Sequence, residues 1–123
     1  MELEIRVKHT DLTEALRSYV ERRLRFSLGR FGGRVGRVTV RISDLNGPRG
    51  GNDKCCHLSA EAVPAGWVGV EATDANLYAA IDRATERLGR SFRRHLERMR
   101  TAMTRHESVR VGRSLRKLQR SCG

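Results

Sequence analysis

The sequence predicts an α+β two-layer sandwich: a four-stranded sheet with two helices on one face, in the order β-α-β-β-β-α. Three observations predict it. Four stretches alternate apolar and polar residues, the period of a half-buried strand. Two other stretches repeat their apolar residues at helical spacing, one after the first strand and one after the last. Each strand has only one apolar face, so both helices must cover the same side of the sheet.

Leu3, Ile5 and Val7 alternate with Glu2, Glu4, Arg6 and Lys8, and define strand 1. Thr10 and Asp11 then offer helix N-caps, with Asp11 and Glu14 at the spacing of a capping box. The helix that follows runs to about Leu28 and is expected to bury Leu12, Leu16, Tyr19, Val20, Leu24 and Leu28. Gly29 to Gly36 holds four glycines and ends it. Val38, Val40 and Ile42 mark strand 2, and Cys56, Leu58, Ala60 and Ala62 mark strand 3. Between them, Asn46 to Asp53 is a loop by its Asn-Gly and Gly-Pro steps. Pro64-Ala65-Gly66 turns the chain into strand 4, with Val68, Val70 and Ala72 inward. Thr73 or Asp74 is expected to cap helix 2, which extends to about Arg105. Strands 2 to 4 form an antiparallel meander, and the helical crossover sets strand 1 parallel to strand 2. Residues 1–105 are expected to form one domain and 106–123 a basic, flexible tail.

The chain has 123 residues with a net charge of +11 and a pI near 11.1. A field of this sign favours a polyanion. The chain opens with an acidic Met-Glu-Leu-Glu and contains no apolar run long enough for a signal peptide or a membrane span, so a cytoplasmic protein without membrane contact is expected. Cys55, Cys56 and Cys122 lack metal-ligand spacing, and Cys56 is expected in the core.

The most informative feature is in helix 2. Arg83, Arg87, Arg90, Arg94 and Arg98 are spaced 4, 3, 4 and 4 apart, within one narrow sector of the helical wheel. Opposite them lie Leu77, Ile81, Ala84, Leu88, Phe92, Leu96, Met99 and Met103. Guanidinium groups so placed repel one another, and Asp82, Glu86 and Glu97 offset only part of that charge. A row of permanently charged, planar donors suits a row of phosphates. On helix 1, Arg22 and Arg25 lie off the apolar stripe.

Catalytic patterns are absent. His9, His57, His95 and His106 are scattered, with His57 expected on the solvent face of the sheet. No Gly-rich loop sits between a strand and a helix, and no P-loop Lys-Ser/Thr pair occurs. No enzyme, cofactor, metal or small-molecule substrate is expected. Helix-turn-helix and zinc-finger spacings are missing too. A basic helix on an α+β layer is instead similar to double-stranded RNA-binding domains, and the few aromatics do not make a base-stacking platform.

Asp74-Ala75-Asn76-Leu77-Tyr78-Ala79-Ala80-Ile81-Asp82 resembles the last-helix opening of the ribosome hibernation-promoting factor family, also called ribosome-associated inhibitor or ribosomal subunit interface proteins. The Tyr-Ala-Ala-Ile-Asp string matches without a gap, and the basic positions after it match as Arg87, Arg90, Arg94 and Arg98. Leu12 to Arg17 is similar to the family's first-helix opening. The resemblance spans about residues 3 to 102. This chain departs from it in an arginine-rich end to helix 1 and a longer Gly-rich Asn46 to Asp53 loop, and it is expected to lack the second domain of long-form members. The resemblance implies a stress or stationary-phase factor that binds rRNA in the small-subunit channel for mRNA and tRNA, inhibits translation and preserves idle ribosomes. It further implies RNA contacts by Arg22, Arg25, Arg83, Arg87, Arg90, Arg94 and Arg98, in a protein that is monomeric off the ribosome. A general double-stranded RNA binder and a module for an acidic protein partner are the alternatives that the residues leave open.

Overall fold

In the computed structural model the described residues are 1–44 and 54–104, the last two by their backbone alone. The Asn46 to Asp53 loop, Arg105 and the 106–123 tail lie outside them. Alternation makes strands β1 (Glu2–Lys8), β2 (Val35–Asp44), β3 (Lys54–Ala62) and β4 (Trp67–Asp74), in the sheet order β1-β2-β3-β4. β1 runs parallel to β2, while β2–β3 and β3–β4 are antiparallel. The register brings Ile5, Val40, Leu58 and Val70 into one row across the sheet. Those inward side chains form one core with Leu16, Val20, Leu24 and Leu28 of helix α1 (Glu14–Leu28) and Ala80, Ile81, Ala84, Leu88 and Phe92 of helix α2 (Leu77–Thr104). Burying a ring or branched side chain of this kind stabilises the fold by roughly 1.5–3 kcal/mol. The expected α+β sandwich is the observed one.

The helix starts differ from expectation. Thr13, not Thr10 or Asp11, caps α1: its Oγ1 accepts the Leu16 N–H at 3.1 Å. Starting the helix there leaves Leu12 in the preceding segment, where it packs half-buried against the core. At α2 the cap is Asn76, whose Oδ1 accepts the N–H groups of Tyr78 at 2.8 Å and Ala79 at 3.2 Å. Asp74 acts one step earlier, accepting the Asn76 N–H at 2.9 Å.

The glycine-rich stretch is not merely a stop. Gly29–Arg34 winds into a 3₁₀ segment, broken at Gly32 where φ is +56°. The Val63 N–H donates to the Arg34 carbonyl at 2.9 Å and the Arg34 Nε–H to the Val63 carbonyl at 3.3 Å, which ties this segment to the end of β3. The β3–β4 turn is closed by Ala62 N–H to Gly66 O at 2.8 Å. Gly66 has φ of +102°, and a side chain there would run into the His95 ring, which sits 3.1 Å from the Ala65 carbonyl. His95 therefore latches the turn to α2.

His57 departs from its expected exposure. It occupies the second face of the sheet, as its alternation requires, yet it is buried. Burial, and then the Arg41 guanidinium paired across from it, lower its pKa from 6.5, while Glu71 on the other side acts in the opposite sense. Cys56, a free thiol in the core, is pushed up to about 12 by burial and is no nucleophile.

Because the folded state favours neutral His57, its contribution to stability is present above the unfolded value of 6.5 and lost as pH falls through the lower folded value. Urea unfolding at pH 8 and pH 5 checks this. Wild-type protein loses more stability between the two than His57→Gln does; equal losses would remove His57 from the acid response.

Candidate nucleic-acid interface

Three contacts place the two helices side by side and parallel. Tyr19 of α1 meets Tyr78 of α2 edge to face, with ring centroids 4.8 Å apart. One turn on, Asp82 accepts the Tyr19 hydroxyl and lies 3.1 Å from Arg23 Nε. Further along, Gly89 brings the backbones together: a Cβ there would stand 3.2 Å from the Ser27 carbonyl oxygen. The pairs 19 with 78, 23 with 82 and 27 with 89 ascend together, so the helices share one direction and both present an outer face away from the sheet.

That outer face carries the arginines. Arg83, Arg87, Arg90, Arg94 and Arg98 are all exposed and fall within about 80° of the α2 wheel. They are not equivalent. Arg83 lies 3.8 Å from Asp74, and Arg87 donates to the Glu71 carbonyl at 2.6 Å, so both lean toward β4. Arg94 reaches Ser91 at 3.4 Å. Among the described residues, Arg90 and Arg98 have no acceptor. Arg93 and Arg100, also exposed, stand about a quarter turn away. With Arg34, Phe31, Leu96 and Met99 they line an open cleft of about 360 Å³ near the 3₁₀ segment.

One acid of α2 is already engaged by α1. Asp82 pairs across the seam with Tyr19 and Arg23 while staying partly exposed, and Glu86 and Glu97 are exposed carboxylates of α2 beside the arginine row. The hydrogen bond to Asp82, and then burial, raise the Tyr19 pKa above 10.0. On α1, Arg22 and Arg25 are exposed as expected, and Arg22 lies 5.8 Å from the centroid of Tyr19. Helical periodicity grouped Tyr19 with the core; it is half-buried in the seam instead. Phe26, which periodicity did not single out, stands on the outer surface. Its spacing from Tyr19 and Arg22, seven and four residues, was the available signal.

Residues 3–100 match the profile of a family described as sigma 54 modulation protein / S30EA ribosomal protein. The chain belongs to this family. The sigma 54 modulation protein / S30EA fold is also seen in solved structures. The N-terminal domain of Thermus thermophilus Protein Y shares 30% identity over 77% of this chain and 99% of its own, with a TM-score of 0.65. A ribosomal subunit interface protein from Coxiella burnetii has the same fold at 15% identity, covering 79% of this chain and 99% of its own, with a TM-score of 0.62. No curated protein sequence gives a significant match. In this family member no group of three or more His, Cys, Asp or Glu among the described residues could hold a metal ion. Nor is any described helix long and apolar enough to cross a membrane.

The two tyrosines of the seam are separable by stability. Tyr19→Phe removes a hydrogen bond to a carboxylate and costs about 1 kcal/mol in urea unfolding at neutral pH. Tyr78, whose hydroxyl has no partner among the described residues, tolerates Phe within about 0.5 kcal/mol. Equal costs for the two variants would mean that Asp82 is not what holds the seam.

Proposed function

We propose that the protein is a ribosome-associated factor that binds small-subunit rRNA in the mRNA and tRNA channel. There it inhibits translation and preserves idle ribosomes under stress or in stationary phase. It acts in the cytoplasm, as a monomer when off the ribosome, and by occupancy rather than catalysis. The observation that carries this reading is the exposed arginine row of α2, above all Arg90 and Arg98, which have no acceptor among the described residues. Family membership supports the ribosome as the source of the polyanion.

The mechanism follows from charge and shape. Permanently ionised guanidinium groups displace the counterions condensed on RNA phosphates, and that release favours association. Parallel helices hold two sets of arginines at a fixed separation, Arg22 and Arg25 on one and Arg83, Arg87, Arg90, Arg94 and Arg98 on the other. Helix–helix packing sets their axes about 8–10 Å apart. The backbone frame is therefore built before it meets RNA, and the ordering entropy lost on binding is that of the arginine side chains. A domain so bound in the channel would exclude mRNA and tRNA sterically.

Arg90, Arg94 and Arg98 point away from the core, so changing all three to Glu leaves the thermal midpoint near wild type. Sucrose-gradient sedimentation with purified small subunits is the test. Wild-type protein comigrates with the subunits and the triple variant stays at the top. Comigration of the variant at the wild-type dose would refute the arginine row as the contact. Comigration of neither, with duplex RNA bound by wild type, would leave a general RNA binder.

A further inference from the structure

We propose that Phe26 stacks on an unpaired RNA base, so that the surface prefers RNA with an unstacked nucleotide over an uninterrupted duplex. The proposal rests on the RNA-binding reading above and specifies which RNA feature the surface recognises.

Phe26 is 81% exposed, the most exposed of the large apolar side chains among the described residues; Met1 follows at 51%. A single exposed apolar residue would need no explanation. Its setting is what carries the argument. Phe26 lies in the last turn of α1, one turn beyond Arg22 and directly after the exposed Arg25. The Arg23 guanidinium carbon stands 5.8 Å from its ring centroid. The ring cannot drop into the seam, because Gly89 and Ser27 bring the two backbones close at this level. It stands on the outer surface of α1, beside Arg22, Arg23 and Arg25.

The chemistry of the neighbours selects the partner. An apolar protein patch could cover the ring, but it would also have to desolvate the neighbouring Arg22 and Arg25 without supplying counter-charge. RNA offers a π face and a phosphate in every nucleotide, which matches an exposed aromatic ring on a helix surface that also carries arginines. Within a continuous A-form helix the base faces are already stacked on one another, so the ring has nothing to gain there. A bulge, a loop or a strand end presents a free face. Phenylalanine has no polar atom, so it would accept any base without reading its edge.

The test uses the full chain and two hairpin RNAs with the same stem, one of them carrying a single bulged adenine, at one fixed salt concentration. Fluorescence anisotropy is expected to show wild-type protein binding the bulged hairpin about 5- to 100-fold more tightly. Phe26→Ala erases that preference while keeping the affinity for the plain stem, and Phe26→Trp retains it. Because the ring is exposed, the thermal midpoint of Phe26→Ala should equal that of wild type. Absence of a preference in wild type, persistence of it in Phe26→Ala, or equal loss for both hairpins would each overturn the proposal. So would ribosome binding by a protein that holds neither hairpin. If the arginine-row triple variant keeps its affinity for the plain stem while Phe26→Ala loses the bulge preference, the row reading fails and the stacking role stands.

Discussion

Four strands with one apolar face each leave a single side of the sheet to be buried, and the rest of the molecule follows from that constraint. Two helices have to share that side, so they lie next to each other rather than on opposite faces. Connectivity then makes them parallel, since each follows a strand of the same direction. Sharing also forces a close seam. Gly89 opposite Ser27, and the Tyr19–Asp82–Arg23 group, occur where the two helix surfaces meet, and a side chain at Gly89 would crowd the Ser27 carbonyl. What remains is one broad outer face made of both helices, and it is there that the arginines collect.

That face carries more positive charge than helix 2 alone would suggest. The seam pairs Asp82 with Arg23, so the acid nearest the start of the row is engaged by an arginine of the other helix while its carboxylate stays partly exposed. Arg83 and Arg87 are steadied from the β4 side, one by Asp74 and one by the Glu71 carbonyl, which limits their rotamers without cancelling the charge of Arg87. Packing therefore fixes the helices, and the edges of the sheet aim part of the row. The remaining repulsion among arginines is a standing cost of the free protein, one that bound phosphates would relieve.

Much of this was legible in the chain. Period-two alternation defined all four strands, and helical spacing defined both helices and the arginine row, because each pattern reports which side of an element is buried. The caps were not legible to the residue. Thr10, Asp11 and Thr13 can all cap a helix, and the choice fell to Thr13 because Leu12 has to reach the core before the helix begins. His57 shows the same limit in the sheet: alternation placed it on the second face but could not say that this part of the face is covered. Tyr19 and Phe26 needed a partner helix to be understood. On a wheel they are neighbours of the apolar stripe, and only the position of α2 decides that one enters the seam and the other stands on the outer surface. The glycines of 29–36 announced a break without announcing the 3₁₀ turn, since any of several loops would use their freedom.

The central claim is that phosphates, not an apolar patch, hold the protein to its partner, and the salt dependence of ribosome affinity tests it most directly. If arginines of both helices neutralise about five phosphates, each contact contributes a slope of roughly 0.7 to 0.9 in log affinity against log salt. The dissociation constant for small subunits should then rise on the order of 100-fold between ~50 and ~200 mM monovalent salt. An affinity that stays flat across that range would contradict the account, even with the ribosome confirmed as the partner.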